Sequence, residues 1–182
     1  MESNMEITIE SGKKEYISNF ANILVSIFKG SDINKEYKNP PILKLEEDLT
    51  AALKNDTVHI EGAYYNAREV AEILAKGHDF ILMNLDKDTE LTAKIYVTDT
   101  YESVYFDIIV KDGKFILDSR LYPYGYSEEI ECDECGEVII ERSEWNGETK
   151  MMECPECGTV KDVAAEILST QENIQHLELD LE

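Results

Sequence analysis

Cys132-Asp133-Glu134-Cys135-Gly136 and Cys154-Pro155-Glu156-Cys157-Gly158 are two copies of one short pattern, with eighteen residues between Cys135 and Cys154. A Cys-x-x-Cys pair brings two sulfurs near enough to hold one ion from two sides. Two such pairs supply the four thiolates that tetrahedral Zn²⁺ takes in a closed structural site. In each copy a glycine follows the second cysteine, where the chain turns sharply to aim backbone N–H groups at the sulfurs, and glycine takes φ > 0 there without cost. Both copies read as metal knuckles.

Between them, Val138-Ile139-Ile140 and Lys150-Met151-Met152 flank Trp145-Asn146-Gly147-Glu148. Asn-Gly between two short apolar runs predicts a hairpin that pairs those runs. Residues from about 128 to 162 thus resemble the zinc-ribbon family. The resemblance implies a small antiparallel sheet clamped by one zinc, with Cys132, Cys135, Cys154 and Cys157 as its ligands. Four thiolates leave no open position for water or substrate, so the expected ion is structural and folds a piece too small to bury its own core. Redox-active or disulfide-bonded Cys-x-x-Cys pairs are the alternative. Disulfides need an oxidising compartment, and Met1-Glu2-Ser3-Asn4-Met5-Glu6 carries no signal-peptide pattern. The expected location is cytoplasmic, that is, intracellular.

A ribbon of this size leaves most of the 182 residues for an independent core, which predicts two domains: an α+β domain over 1–125, and a zinc ribbon with a C-terminal helix and acidic tail over 126–182. No apolar run approaches the roughly 20 residues of a membrane span. The net charge is −22. Residues 126–182 hold 17 acids against Arg142, Lys150 and Lys161, a net of −14, while the first 125 residues carry a net of −8. Phosphate contacts need Lys and Arg to displace counterions, so this charge argues against direct binding of nucleic acid. The same field attracts basic surfaces, although acidity also serves plain solubility.

Before the ribbon, Glu6-Ile7-Thr8-Ile9 alternates as a strand does, and Tyr16, Ile17, Phe20, Ile23, Leu24, Ile27 and Phe28 share one helical face. Ser31 to Pro41 reads as a loop, Leu45 to Leu53 as a second helix, and Thr57-Val58-His59-Ile60 as a strand. Asn66 with Glu69 forms a capping-box pattern that opens a third helix at Ala67, and Gly77 is its expected stop. Phe80-Ile81-Leu82-Met83 then reads as a buried strand. Leu91–Val97, Ser103–Val110 and Phe115–Leu117 are rich in β-branched and aromatic residues, with Asp112-Gly113 as a tight turn, and predict a three-stranded antiparallel meander. The helices are expected on one face of it. Leu121-Tyr122-Pro123-Tyr124-Gly125-Tyr126 joins the two parts. After the ribbon, Val163, Ala164, Ile167 and Leu168 predict a short helix capped by Asp162. Leu177, Leu179 and Leu181 alternate with acids, a strand-like period suited to a sheet edge of this chain or of another.

Catalytic signatures fail one by one. His59, His78 and His176 sit in no ligand spacing. Gly12-Lys13 resembles the end of a phosphate loop, but Ile7 stands where glycine is required and Lys14 where Ser or Thr belongs. There is no GxSxG or GxGxxG, and no cysteine is left over as a nucleophile. No catalytic residue is assigned. The expected function is a non-enzymatic, acidic, zinc-binding protein that binds a basic partner protein to regulate or neutralise it. Such a partner is a nucleic-acid-processing enzyme, a transcription or translation component, or a toxin. The alternative expectation is an enzyme with its active site on the N-terminal domain and the ribbon as a structural or docking module.

Overall fold

The computed structural model describes residues 3–100, 102–123, 127–171 and 174–181. The first strand of its main sheet lies near the N-terminus. Asn4–Glu10 (β1) alternates buried Met5, Ile7 and Ile9 with solvent-facing Glu6 and Thr8. It lies between Val58–Gly62 (β2) and Leu91–Thr98 (β3), antiparallel to both. Beyond β3 come Glu102–Lys111 (β4), Lys114–Pro123 (β5) and finally Ile174–Asp180 (β10), giving one six-stranded antiparallel sheet ordered β10-β5-β4-β3-β1-β2. Register places Ile7 opposite Ile95 and Ile95 opposite Phe106, so one sheet face is a continuous apolar surface. The fold class is α+β. The β4–β5 turn forms at Asp112 and Gly113, both at positive φ (53° and 74°), the mirror-image geometry that suits strand twist.

Three helices cover that apolar face: Lys14–Lys29 (α1), Ile42–Ala52 (α2) and Ala67–Asn84 (α3). Ile17, Phe20, Ile23, Leu24, Ile27 and Phe28 of α1 are buried and Tyr16 partly so, and Leu45 and Leu49 of α2 are buried. Each fully buried aliphatic side chain contributes roughly 1.5–3 kcal/mol. The capping box that opens α3 is complete, with Glu69 N–H donating to Asn66 Oδ1 and Asn66 N–H to Glu69 Oε2, both at 2.9 Å. Ser31 to Pro41 includes one turn of 3₁₀ helix, Asp32–Glu36.

One local expectation is overturned here. α3 does not stop at Gly77 but runs to Asn84, so Phe80–Met83 is helix rather than strand. The reason is packing: Leu74, Gly77 and Ile81 are buried on one helical face, while Phe80 and Met83 point outward. The expected meander is present as β3, β4 and β5, and β1 and β2 extend it on one side and β10 on the other.

The contacts divide the chain into two units: the residues up to Leu121 together with those from Gln175 onward, and Tyr122–Ile174. The second unit holds Glu129–Glu131 (β6), Val138–Glu141 (β7), Met151–Glu153 (β8), Val160–Asp162 (β9) and Val163–Gln171 (α4). Of the tyrosine-rich joining segment, Tyr124, Gly125 and Tyr126 lie outside the described residues. The second unit has a small core of its own, Ile130, Val163 and Ile167, against which Ile139, Ile140, Trp145 and Met152 pack. α4 opens as its sequence predicts, with Ala165 N–H donating to Asp162 Oδ1 at 3.0 Å.

Candidate metal centre

Each knuckle is the loop of its own hairpin. β6 pairs antiparallel with β7 around Cys132–Gly136, and β8 with β9 around Cys154–Gly158. Cys132 N–H donates to Glu137 O at 2.8 Å and Gly136 N–H to Cys132 O at 2.9 Å; Cys154 with Thr159 and Gly158 with Cys154 repeat this at 2.8 and 3.0 Å. Gly136 and Gly158 sit at φ 75° and 76°, the conformation for which the motif needs glycine.

The expected pairing of β7 with β8 across Asn146-Gly147 does not occur: these strands belong to different two-stranded sheets. The Asn-Gly turn closes on itself instead. Asn146 Oδ1 accepts from the N–H groups of Glu148 and Thr149 at 2.9 Å, and Trp145 Nε1 donates to Thr149 O at 2.6 Å. Strand pairing is taken up within the knuckles.

The two knuckles bring Cys132, Cys135, Cys154 and Cys157 together, with all four Sγ atoms within 4.8 Å of one another. Cys132 Sγ lies 3.5 Å from Cys157 Sγ, and Cys135 Sγ 3.5 Å from Cys154 Sγ. A regular tetrahedron with a metal–sulfur bond of about 2.3 Å has sulfurs about 3.8 Å apart, so the donor set fits one four-coordinate ion. Cys132 and Cys154 are buried and Cys135 and Cys157 exposed. All four are free cysteines.

Without metal, the site's thiols differ. Cys157 is pulled down to about 6 by the Thr159 hydroxyl, helped by the Thr159 N–H and the Cys132 thiol. At Cys135 the Glu137 backbone N–H pulls downward, but desolvation and the thiols of Cys154, Cys157 and Cys132 outweigh it and push the group up to about 12.

Two cations hold the surrounding frame, and the sequence reading counted them only as charges. Lys161 Nζ donates to Glu131 O at 2.8 Å and pairs with Asp133 at 2.7 Å and Glu166 at 3.0 Å. Arg142 donates through Nε to Ser127 O at 2.7 Å and through Nη1 and Nη2 to Glu166 O and Oε1, both at 3.1 Å. The available signal was their isolation: a rare base among many acids is the natural centre of an internal ion pair.

The histidines lie elsewhere, in the first unit. His59 Nδ1 meets Thr8 Oγ1 at 3.1 Å, His78 Nε2 lies 3.0 Å from Asp79, and His176 Nδ1 lies 2.6 Å from Asp118. A groove of about 370 Å³ in that unit is lined by Ile27, Ile33, Ile73, Gly77 and Phe80, with the Glu72–Lys76 ion pair among its polar lining. A cleft of about 500 Å³ runs beside His78, Ser119 and His176. Tyr64, Tyr65 and Tyr37 are pushed up mainly by desolvation, yet they donate to Asp48, Asn34 and Glu69 and line neither cleft. No described helix is long and apolar enough to cross a membrane. Compared with protein-family models, curated proteins and solved structures, the chain matches none.

Proposed function

We propose that the four cysteines hold one structural zinc, and that the folded ribbon presents an acidic surface to a basic partner protein. Chemistry favours zinc: four soft thiolates in a tetrahedral set suit it, and a closed site needs neither redox change nor an open position.

The observation that carries the partner reading is how the ribbon's bases are used. Arg142 and Lys161, with side chains 11% and 17% exposed, are consumed by internal contacts. Glu128, Glu129, Glu134, Glu137, Glu141, Glu144, Glu148, Glu153 and Glu156 face solvent, and Lys150 is the remaining exposed base of the described ribbon. Four thiolates around a divalent ion add two further negative charges. The outward field is therefore more acidic than the composition alone conveys.

The outer face of β8 and β9 adds an apolar foothold. Met151 (54% exposed) and Val160 (57%) lie diagonally across the pair, opposite Asp162 and Glu153 respectively. A cationic segment with an apolar side chain complements this face. A second copy of the chain does not, because its own acids would meet like charge, and phosphates are repelled for the same reason.

The test is affinity capture of the tagged, zinc-loaded chain from nuclease-treated extract, eluted along a salt gradient. The reading predicts one basic protein at near-equal amount, released as salt rises and lost when the acids from Glu128 to Glu137 are neutralised. Capture of nothing specific, or of a partner indifferent to salt and to those acids, overturns it.

A further inference from the structure

The ribbon is spliced into a β-hairpin. β5 ends at Pro123 and β10 begins at Ile174, yet the two strands are neighbours at one edge of the sheet. Their contacts run antiparallel: Leu181 N–H donates to Gly113 O at 2.8 Å, Lys114 pairs with Glu178, and His176 lies against Asp118. Leu181 is buried in the main core. The loop of this hairpin is residues 124–173, about fifty residues, and its length decides how readily β10 docks. Closing a flexible loop costs about (3/2)RT ln n, so the equilibrium constant for docking a strand falls as the 3/2 power of loop length.

Within the folded ribbon the neck of that loop is already drawn together. Arg142 joins Ser127 O and Glu166 O through its guanidinium, and its own N–H donates to Glu128 O at 2.9 Å. The residues where the chain enters the ribbon and the helix by which it leaves are thus tied to one largely buried side chain. Folding of the ribbon replaces a free loop of about fifty residues by fewer than about ten outside it. The small apolar core of Ile130, Val163 and Ile167 leaves that folding dependent on the metal.

We infer that the metal centre is a latch for the C-terminal strand: binding the ion shortens the effective β5–β10 connection, and losing it loosens β10 from the edge of β5. The 3/2 power law, from about fifty residues to about ten, puts the loosening at about tenfold. Undocking bares the β5 edge and the seat of Leu181. The state of the cysteines is thereby transmitted to a sheet that contains none of them. The inference rests on the metal-binding part of the proposed function and is independent of the partner.

Amide hydrogen exchange on the full chain tests it, comparing zinc-loaded protein with the same protein stripped by a chelator. Protection of residues 175–181 is expected to fall about tenfold on stripping, while β1 and β3 keep theirs. Unchanged protection of 175–181, in a sample whose ribbon amides have lost theirs, overturns the latch; an equal loss in β1 and β3 also overturns it, since that is global destabilisation. Zinc content is measured on the same samples. A preparation from which chelation removes no metal overturns the metal reading and the latch with it. Arg142→Met provides the second arm: with zinc retained and the neck untied, exchange at 175–181 is expected to rise severalfold. No rise, with the amides around Ser127 and Glu166 visibly loosened, removes Arg142 from the mechanism.

Discussion

Gly77→Ala puts the helix packing to a sharp test, because two effects of known sign oppose each other there. Gly77 is interior to α3, where alanine is favoured over glycine by about 1 kcal/mol of helix propensity. A Cβ at that position, however, lies 3.0 Å from both Cβ and Cγ2 of Ile27 and 3.2 Å from its Cδ1. Ile27 Cβ is fixed to the α1 backbone, so rotating the side chain does not relieve the contact and the two helices must separate. Overpacking of this kind costs about 1–3 kcal/mol. The balance is a net destabilisation of about 1 kcal/mol, or a fall of about 3 °C in Tm for a chain of this size. The assay is thermal and urea unfolding of the zinc-loaded chain, run as a cycle with Ile27→Ala. Once Ile27 is truncated, Gly77→Ala becomes neutral or stabilising, with a coupling of at least about 1 kcal/mol. A Gly77→Ala variant that gains stability by the propensity difference, with no coupling to Ile27, refutes the close approach of α1 and α3.

Two further outcomes follow from other parts of the molecule. Ile130 is the fully buried centre of the ribbon core, so Ile130→Ala is expected to cost about 3 kcal/mol. The proposed structural zinc makes metal binding and folding of this unit one equilibrium, which predicts that zinc affinity in a chelator competition falls about 100-fold; an affinity within threefold of wild type contradicts the coupling. His176 is raised above the ordinary 6.5, first by its hydrogen bond to Asp118 and then by charge from Asp118 and Glu178. Its contribution to docking β10 is therefore fully present below the unfolded value and is lost as pH rises through the folded one. An NMR titration of the His176 ring shows an elevated midpoint that Asp118→Asn returns toward 6.5; a midpoint at or below 6.5 in the unmodified chain contradicts the contact.

What the sequence disclosed depended on how local the controlling physics is. The metal knuckles are written in contiguous residues, because two sulfurs and a left-handed glycine must lie within five positions, and all four cysteines meet as their spacing predicts. Helix α1 and the cap of α3 were legible for the same reason. Gly77 was not: glycine reads as a helix stop by conformational preference, yet here it is a contact surface for Ile27, a residue fifty positions earlier. Asn146-Gly147 misled in the opposite direction, since a strong local turn signal was satisfied by the turn's own hydrogen bonds while the strands paired within the knuckles. The alternation of Leu177, Leu179 and Leu181 announced a strand but not its neighbour. The insertion of β1 between β2 and β3 likewise rests on pairings far apart in sequence.

The metal centre is the claim on which the rest depends, and native mass spectrometry of the full chain, purified anaerobically and followed by thiol labelling, tests it most directly. The account predicts one zinc per chain with all four cysteines reduced and slow to label until a chelator is added. A metal-free chain, or less than about half an equivalent of zinc with the four cysteines oxidised in pairs, contradicts it and assigns the two knuckles to redox chemistry instead.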